Sequence, residues 1–81
     1  MKTDAFIKKY QGLVSRKLDD FLMASGRDVY DFALNCGLSY KVVEDVLYCW
    51  DCKTFDIITL SDISACIDAI EHGRIDRWKT N

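Results

Sequence analysis

The chain contains no proline and only four glycines in its 81 residues. Without proline nothing breaks a helix from within, and with so few glycines the connections must be short. No apolar run approaches the roughly 18 residues of a membrane span. The N-terminal stretch MKTDAFIKKYQG does not have the form of a secretory signal. No glycine-rich loop could cradle a phosphate, and no serine, histidine and carboxylate are spaced to make a nucleophile. The single histidine, His72, stands before Gly73 at the end of a helical pattern. An imidazole there commonly supports a helix C-terminus rather than acting as a base. An enzyme, a membrane protein, a cofactor carrier and a small-molecule binder are therefore not expected.

What is present is an ordinary globular composition, 49% hydrophobic and 30% charged, of a size for one domain with a modest core. The four cysteines, Cys36, Cys49, Cys52 and Cys66, sit inside apolar patterns. Reduced, buried thiols of a cytoplasmic protein, in a cell or an infected host, are expected over a disulfide scaffold. The run CWDC, Cys49 to Cys52, has the spacing of zinc knuckles and redox sites. A structural zinc needs four ligands, and Cys36, Cys66 and His72 do not supply a second tight pair. A thioredoxin-type site would need a βαβ context, so no metal site is assigned.

Periodicity predicts helices throughout. Phe6, Ile7, Tyr10, Leu13, Val14, Leu18, Phe21 and Leu22 recur three or four apart, the pattern of one buried helix face. Thr3 or Asp4 is placed to cap its start and Gly26 to end it, while Gly12 weakens its middle and could split it. A second helix is expected from about Asp28 to Cys36, stopped by Gly37. Ser39 then caps a third, with Val42 or Val43, Val46, Leu47 and Trp50 inward. WDCKTF reads as a polar connection. The last helix carries Leu60, Ile63, Ile67 and Ile70 on one side, with Ser61 or Thr59 near its cap. The tail RIDRWKTN is a frayed end, a short strand or a clasp by Trp78 onto a partner. The expected fold is all-α, a compact bundle of four to five helices in one domain over residues 1–81.

The stretch FALNCGLS carries the most specific signal. Ala33 lies four residues before Gly37. A steep crossing of two helices needs a small side chain at the close approach and a residue tolerant of positive φ in the turn. Leu38 and Val43 then fill the angle. Ala-x-x-x-Gly alone is also the mark of a generic helical hairpin, but Phe32, Ser39 and Val43 supply the wider pattern of a helix-turn-helix. In this the chain resembles the lambda-repressor-like, or Cro-type, helix-turn-helix domains of phage and bacterial regulators, roughly from Leu13 to Ile70. Ile57, Leu60, Ile63 and Ile67 resemble the ladder of that family's final helix. The resemblance implies a small phage- or mobile-element-type transcription regulator, binding double-stranded DNA as a homodimer through the third helix.

On that resemblance the DNA-binding residues would be Arg27, Ser39, Tyr40, Lys41, Val42, Glu44 and Asp45. Lys41 would meet a phosphate or a guanine edge, Tyr40 and Val42 a thymine methyl, and Glu44 a cytosine amine. The charge pattern departs from this use. From Arg27 to Lys53 there are three basic residues (Arg27, Lys41, Lys53) against five acidic ones (Asp28, Asp31, Glu44, Asp45, Asp51). Duplex DNA rewards each phosphate neutralised, so a net-negative reading head discards that contribution. Lys2, Lys8, Lys9, Arg16 and Lys17 on the first helix offer a compensating grip on the backbone, although a solvated helix face is the plainer reading. The alternative is an antirepressor or other inhibitor that turns an acidic helix-turn-helix toward a basic DNA-binding protein. Tyr40, Glu44, Asp45, Tyr48 and Trp78 would then make the contact, tyrosine and tryptophan being favoured interface anchors. Trp50, in register with Val43 and Val46, is assigned to the core. DNA binding is preferred because it is the family's usual employment.

Overall fold

The computed structural model describes residues 2–73, and the expectations for RIDRWKTN and Trp78 lie outside them. Four helices follow in order: α1 (Lys2–Ser25), α2 (Val29–Cys36), α3 (Tyr40–Tyr48) and α4 (Ile57–Glu71). No strand occurs among the described residues, and the all-helical expectation holds. α3 and α4 pack on α1, and α2 packs on α3.

The second and third helices begin and end where their residues dictate. Asp28 precedes α2, and its Oδ1 accepts a hydrogen bond from the Asp31 N–H at 2.9 Å, satisfying a donor the helix leaves open. At the other end Gly37 takes φ 68°, a conformation that costs a side-chain-bearing residue about 1 kcal/mol or more. The Leu38 N–H then reaches back to the Ala33 carbonyl at 2.9 Å and the Gly37 N–H to that of Leu34 at 3.4 Å. This closing turn carries Leu38 inward against the core. Ser39 stands at the cap position of α3, but its hydroxyl makes no capping hydrogen bond. Residues 28 to 50 therefore form two helices joined by a tight turn, not one rod.

The core joins Val14, Leu18, Phe21 and Leu22 of α1 to Phe32 and Ala33 of α2. Val29 of α2, Val43 and Val46 of α3, and Leu60, Ile63 and Ile67 of α4 complete it. Phe21 meets Phe32 edge to face with centroids 5.8 Å apart. Each fully buried aliphatic or aromatic side chain contributes on the order of 2 kcal/mol relative to exposure. Ile70 packs against this core as expected, whereas Ile57 is exposed and takes no part in the ladder. α4 is preceded by Asp56 rather than capped by Thr59 or Ser61, which lie within it. Likewise α1 already includes Thr3 and Asp4, so neither precedes it as a cap.

The buried face of α1 is rotated from the periodic expectation. Phe6 and Leu13 are 60% and 59% exposed, while Gln11 and Ser15 are buried. The cause is the connection between α3 and α4, which crosses α1 at this level and presents backbone groups that need partners. Gln11 Nε2 donates to the carbonyls of Trp50 at 2.6 Å and Lys53 at 2.9 Å, and its Oε1 accepts from the Phe55 N–H at 2.7 Å. Ser15 Oγ donates to the Leu47 carbonyl at 3.0 Å, and Lys8 Nζ to that of Asp51 at 2.9 Å. Gly12 does not split α1. Its missing side chain instead admits the Trp50 ring, and a Cβ there would lie 3.1 Å from Trp50 Cζ3. Trp50 thus follows α3 rather than extending it, half-seated on α1 instead of in register with Val43 and Val46.

Candidate interaction surface on the third helix

The same turn that buries Val43 and Val46 leaves the opposite face of α3 open. Tyr40, Lys41 and Tyr48 are exposed there, and Val42, Glu44 and Asp45 are half-buried. Tyr40, Glu44 and Tyr48 follow one another at four-residue steps along one stripe. Tyr40 Oη donates to Glu44 Oε2 at 2.9 Å, and the tyrosine ring meets Tyr30 edge to face at 5.6 Å. The hydrogen bond to Glu44 and its negative charge hold the Tyr40 phenol above its ordinary pKa. Arg27 is half-buried just before α2, and Ser39 is exposed at the turn.

Asp45 is the centre of this surface's charge. Lys53 Nζ lies 2.7 Å from its Oδ2 and Lys41 Nζ 3.7 Å from its Oδ1, while the carboxylate side chain is only 13% exposed. The Lys53 hydrogen bond, aided by the nearby Lys41 charge, holds Asp45 below its usual carboxylate range. Lys53 is correspondingly pushed up by the same contact. The pairing with Lys41 is legible in the sequence as an i,i+4 spacing. The pairing with Lys53 is not, because it needs the connection to fold back along α3.

The basic residues of α1 are also partly committed. Lys17 Nζ lies 2.8 Å from Asp68 Oδ1 and donates to Ser64 Oγ at 2.9 Å, tying α1 to α4. Lys8 holds the Asp51 carbonyl. Lys9 and Arg16 remain exposed. Lys8 and Lys17 thus have partners within the fold, while Arg16 lines a hollow with Leu47 and Tyr48 of α3.

Sequence patterning also misses a trough between α1 and α3. One hollow of about 670 Å³ is lined by Leu13, Leu47, Tyr48 and Trp50. A second of about 370 Å³ continues past Met23 to Gly26 and shares Asp19, Leu47 and Tyr48 with the first. Leu13, assigned by its spacing to the core, is the residue whose exposure opens this surface.

The cysteines offer little chemistry. All four are free thiols, with Cys52 exposed and the others half-buried, so the expectation of wholly buried thiols is too strong. Burial pushes the Cys36 thiol up to about 12, with help from the adjacent Cys66 side chain. The Asp51 charge raises Cys52 as well. Among the described residues no group of three or more His, Cys, Asp and Glu side chains could hold a metal ion. His72 Nδ1 lies 2.7 Å from the Asp68 carbonyl at the end of α4, the helix-terminal place expected of it. No helix among the described residues is long and apolar enough to cross a membrane. No protein-family model, curated protein or solved structure matches the chain.

Proposed function

We propose that this chain is a protein-binding regulator built on a lambda-repressor-like helix-turn-helix, turning the acidic and aromatic face of α3 toward a basic surface of a DNA-binding protein. One observation carries the proposal: Asp45 holds both lysines of this face, Lys53 at 2.7 Å and Lys41 at 3.7 Å. Binding DNA through those cations requires breaking their existing contacts, which offsets the counterion release that drives such binding. Asp28 adds to this, because its carboxylate occupies the start of α2 where a phosphate would otherwise sit. Tyr40 and Tyr48 supply rigid aromatic area beside Glu44, a composition suited to a cationic protein partner.

A second employment, direct binding of duplex DNA through Arg27, Ser39, Tyr40, Lys41 and Val42, is favoured by one feature. Lys41 is 75% exposed and only loosely held, so it can swing to a phosphate. The two uses separate in one pair of titrations. The first follows association with a purified basic helix-turn-helix repressor, competed by that repressor's own operator. The second follows random duplex DNA from about 50 mM to about 200 mM salt. Protein binding predicts operator-competed association that Glu44→Lys weakens, and no salt-dependent DNA binding. Association with random duplex that Lys41→Ala weakens and Glu44→Lys strengthens overturns it. Glu44 is the better reversal, because Asp45→Lys would also strand Lys53.

A further inference from the structure

The trough between α1 and α3 borders the proposed contact face at Tyr48, and its chemistry differs from that of the face. Its apolar lining comes from Leu13, Leu47, Tyr48 and Trp50, with Ser15 among them. Leu13 and Tyr48 are more than half exposed and leave apolar surface open along this trough. Along its α1 rim stand Asp19 and Asp20, neither in an ion pair among the described residues, against a single arginine, Arg16. At the far end Arg27 and Asp28 offset one another in charge. Among the described residues the trough thus combines an apolar lining with an edge that is net negative.

Its length is set by α1. From Gly12 to Gly26 the two hollows run along about 14 residues, roughly 21 Å at the helical rise per residue. That matches about four turns of a partner helix. Short amphipathic helices dock in this manner, apolar stripe into the groove and charged flanks at the rim.

We propose that this trough is the seat of an amphipathic helix of the partner, with an apolar stripe against Leu13, Leu47 and Tyr48 and a lysine- or arginine-bearing flank beside Asp19 and Asp20. The assignment rests on the protein-binding function above and gives that partner a definite element. The α3 face meets a basic folded surface, and the trough takes a helix presented next to it.

The test uses two synthetic helical peptides of about 15 residues, both with a leucine stripe, one with lysine and the other with glutamate at the remaining positions. Binding is read by amide chemical shifts of the 15N-labelled full chain. The lysine peptide is expected to move the amides of Leu13, Asp19 and Tyr48 and the glutamate peptide to bind at least about tenfold more weakly, a difference of about 1.4 kcal/mol. Leu13→Asp, at a site already exposed and so tolerant of the change, is expected to abolish the response, and Asp19→Lys with Asp20→Lys to weaken it. Tyr48→Ser provides a second lesion from α3, and a circular dichroism spectrum confirms that each variant is folded. Equal binding of both peptides, an unchanged response in Leu13→Asp, or the same amides moved by random duplex DNA instead overturns the assignment. The parent function fails separately: regulator binding insensitive to Glu44→Lys but lost in Leu13→Asp removes the α3 face and keeps the trough. Sensitivity to Glu44→Lys alone does the reverse.

Discussion

Replacing Gln11 by methionine keeps the volume of a buried side chain and removes every hydrogen bond it makes. The lost partners are the Trp50 and Lys53 carbonyls and the Phe55 N–H. Each such bond contributes roughly 0.5–1.5 kcal/mol net, and a group left buried without a partner costs about 1–3 kcal/mol. Trp50 and Lys53 lie near the surface, so water recovers part of the loss at their carbonyls. The expected destabilisation is about 3 kcal/mol. A domain of this size has a total stability on the order of 4–12 kcal/mol, so the variant gives up a large share of it. At about 4–8 °C per kcal/mol the thermal midpoint should fall by roughly 12–24 °C. Urea denaturation followed by far-ultraviolet circular dichroism gives the free energy, with the slope unchanged if only the folded state is affected. Hydrogen exchange gives the local signature, because the Phe55 amide should lose protection well before those of Leu18 or Ile63. A loss below about 0.5 kcal/mol, the range of ordinary surface changes, with Phe55 still protected, would refute the claim that Gln11 anchors the connection.

Gly12→Ala sets a helix-propensity gain of about 1 kcal/mol against the 3.1 Å approach of the Trp50 ring. Stability measured by urea should change by less than about 1 kcal/mol, while Trp50 emission shifts to the red in a Trp78→Phe background, and an unmoved spectrum refutes the contact. Cys36 is favoured as its protonated thiol, so the stability it contributes is present below pH 9.0 and lost as pH rises toward about 12. Thermal midpoints measured across that window should fall less steeply in Cys36→Ala than in the parent, and identical slopes would remove the effect.

Much of the fold is legible in the residues, for reasons that differ by element. α2 is the clearest, because Asp28 and Gly37 act locally: one oxygen reaches a nearby N–H, and one residue accepts positive φ. The inward set of α4 is legible from the spacing of Leu60, Ile63 and Ile67, which are its buried residues. α1 is misread because hydrophobicity stands in for burial. At Gln11 and Ser15 the neighbour is a run of backbone carbonyls rather than side chains, and only a polar residue satisfies it. Trp50 departs from its helical register for a related reason: α3 ends at Tyr48, where the backbone turns away. Of the candidate surface, the Tyr40, Glu44 and Tyr48 stripe follows from four-residue spacing. The engagement of Lys53 by Asp45 and the opening beside Leu13 depend on how the connection lies, which no local pattern encodes.

On the protein-binding reading proposed above, Asp45 decides which polymer the α3 face would hold. Two ammonium groups within reach of one carboxylate form an arrangement in which half of the positive charge is cancelled and both cations are held in place. Asp45→Asn keeps the shape but removes the carboxylate charge that holds Lys41 and Lys53, leaving one amide oxygen in place of two carboxylate acceptors. The variant should gain salt-dependent affinity for random duplex DNA, and the slope of log affinity against log salt should steepen by about 0.9 for each lysine that meets a phosphate, so at most about 1.8. It should at the same time weaken association with a basic partner. Acid acts in the same sense on the parent chain. Because Asp45 titrates below its usual range in the folded state, the stability from its lysine contacts is present above the ordinary carboxylate value of 3.8 and is lost as pH falls through the depressed one. The acid limb of a plot of thermal midpoint against pH should thus be shallower in Asp45→Asn. A variant that stays silent toward duplex DNA at low salt would refute the proposal that Asp45 withholds these two lysines from phosphate.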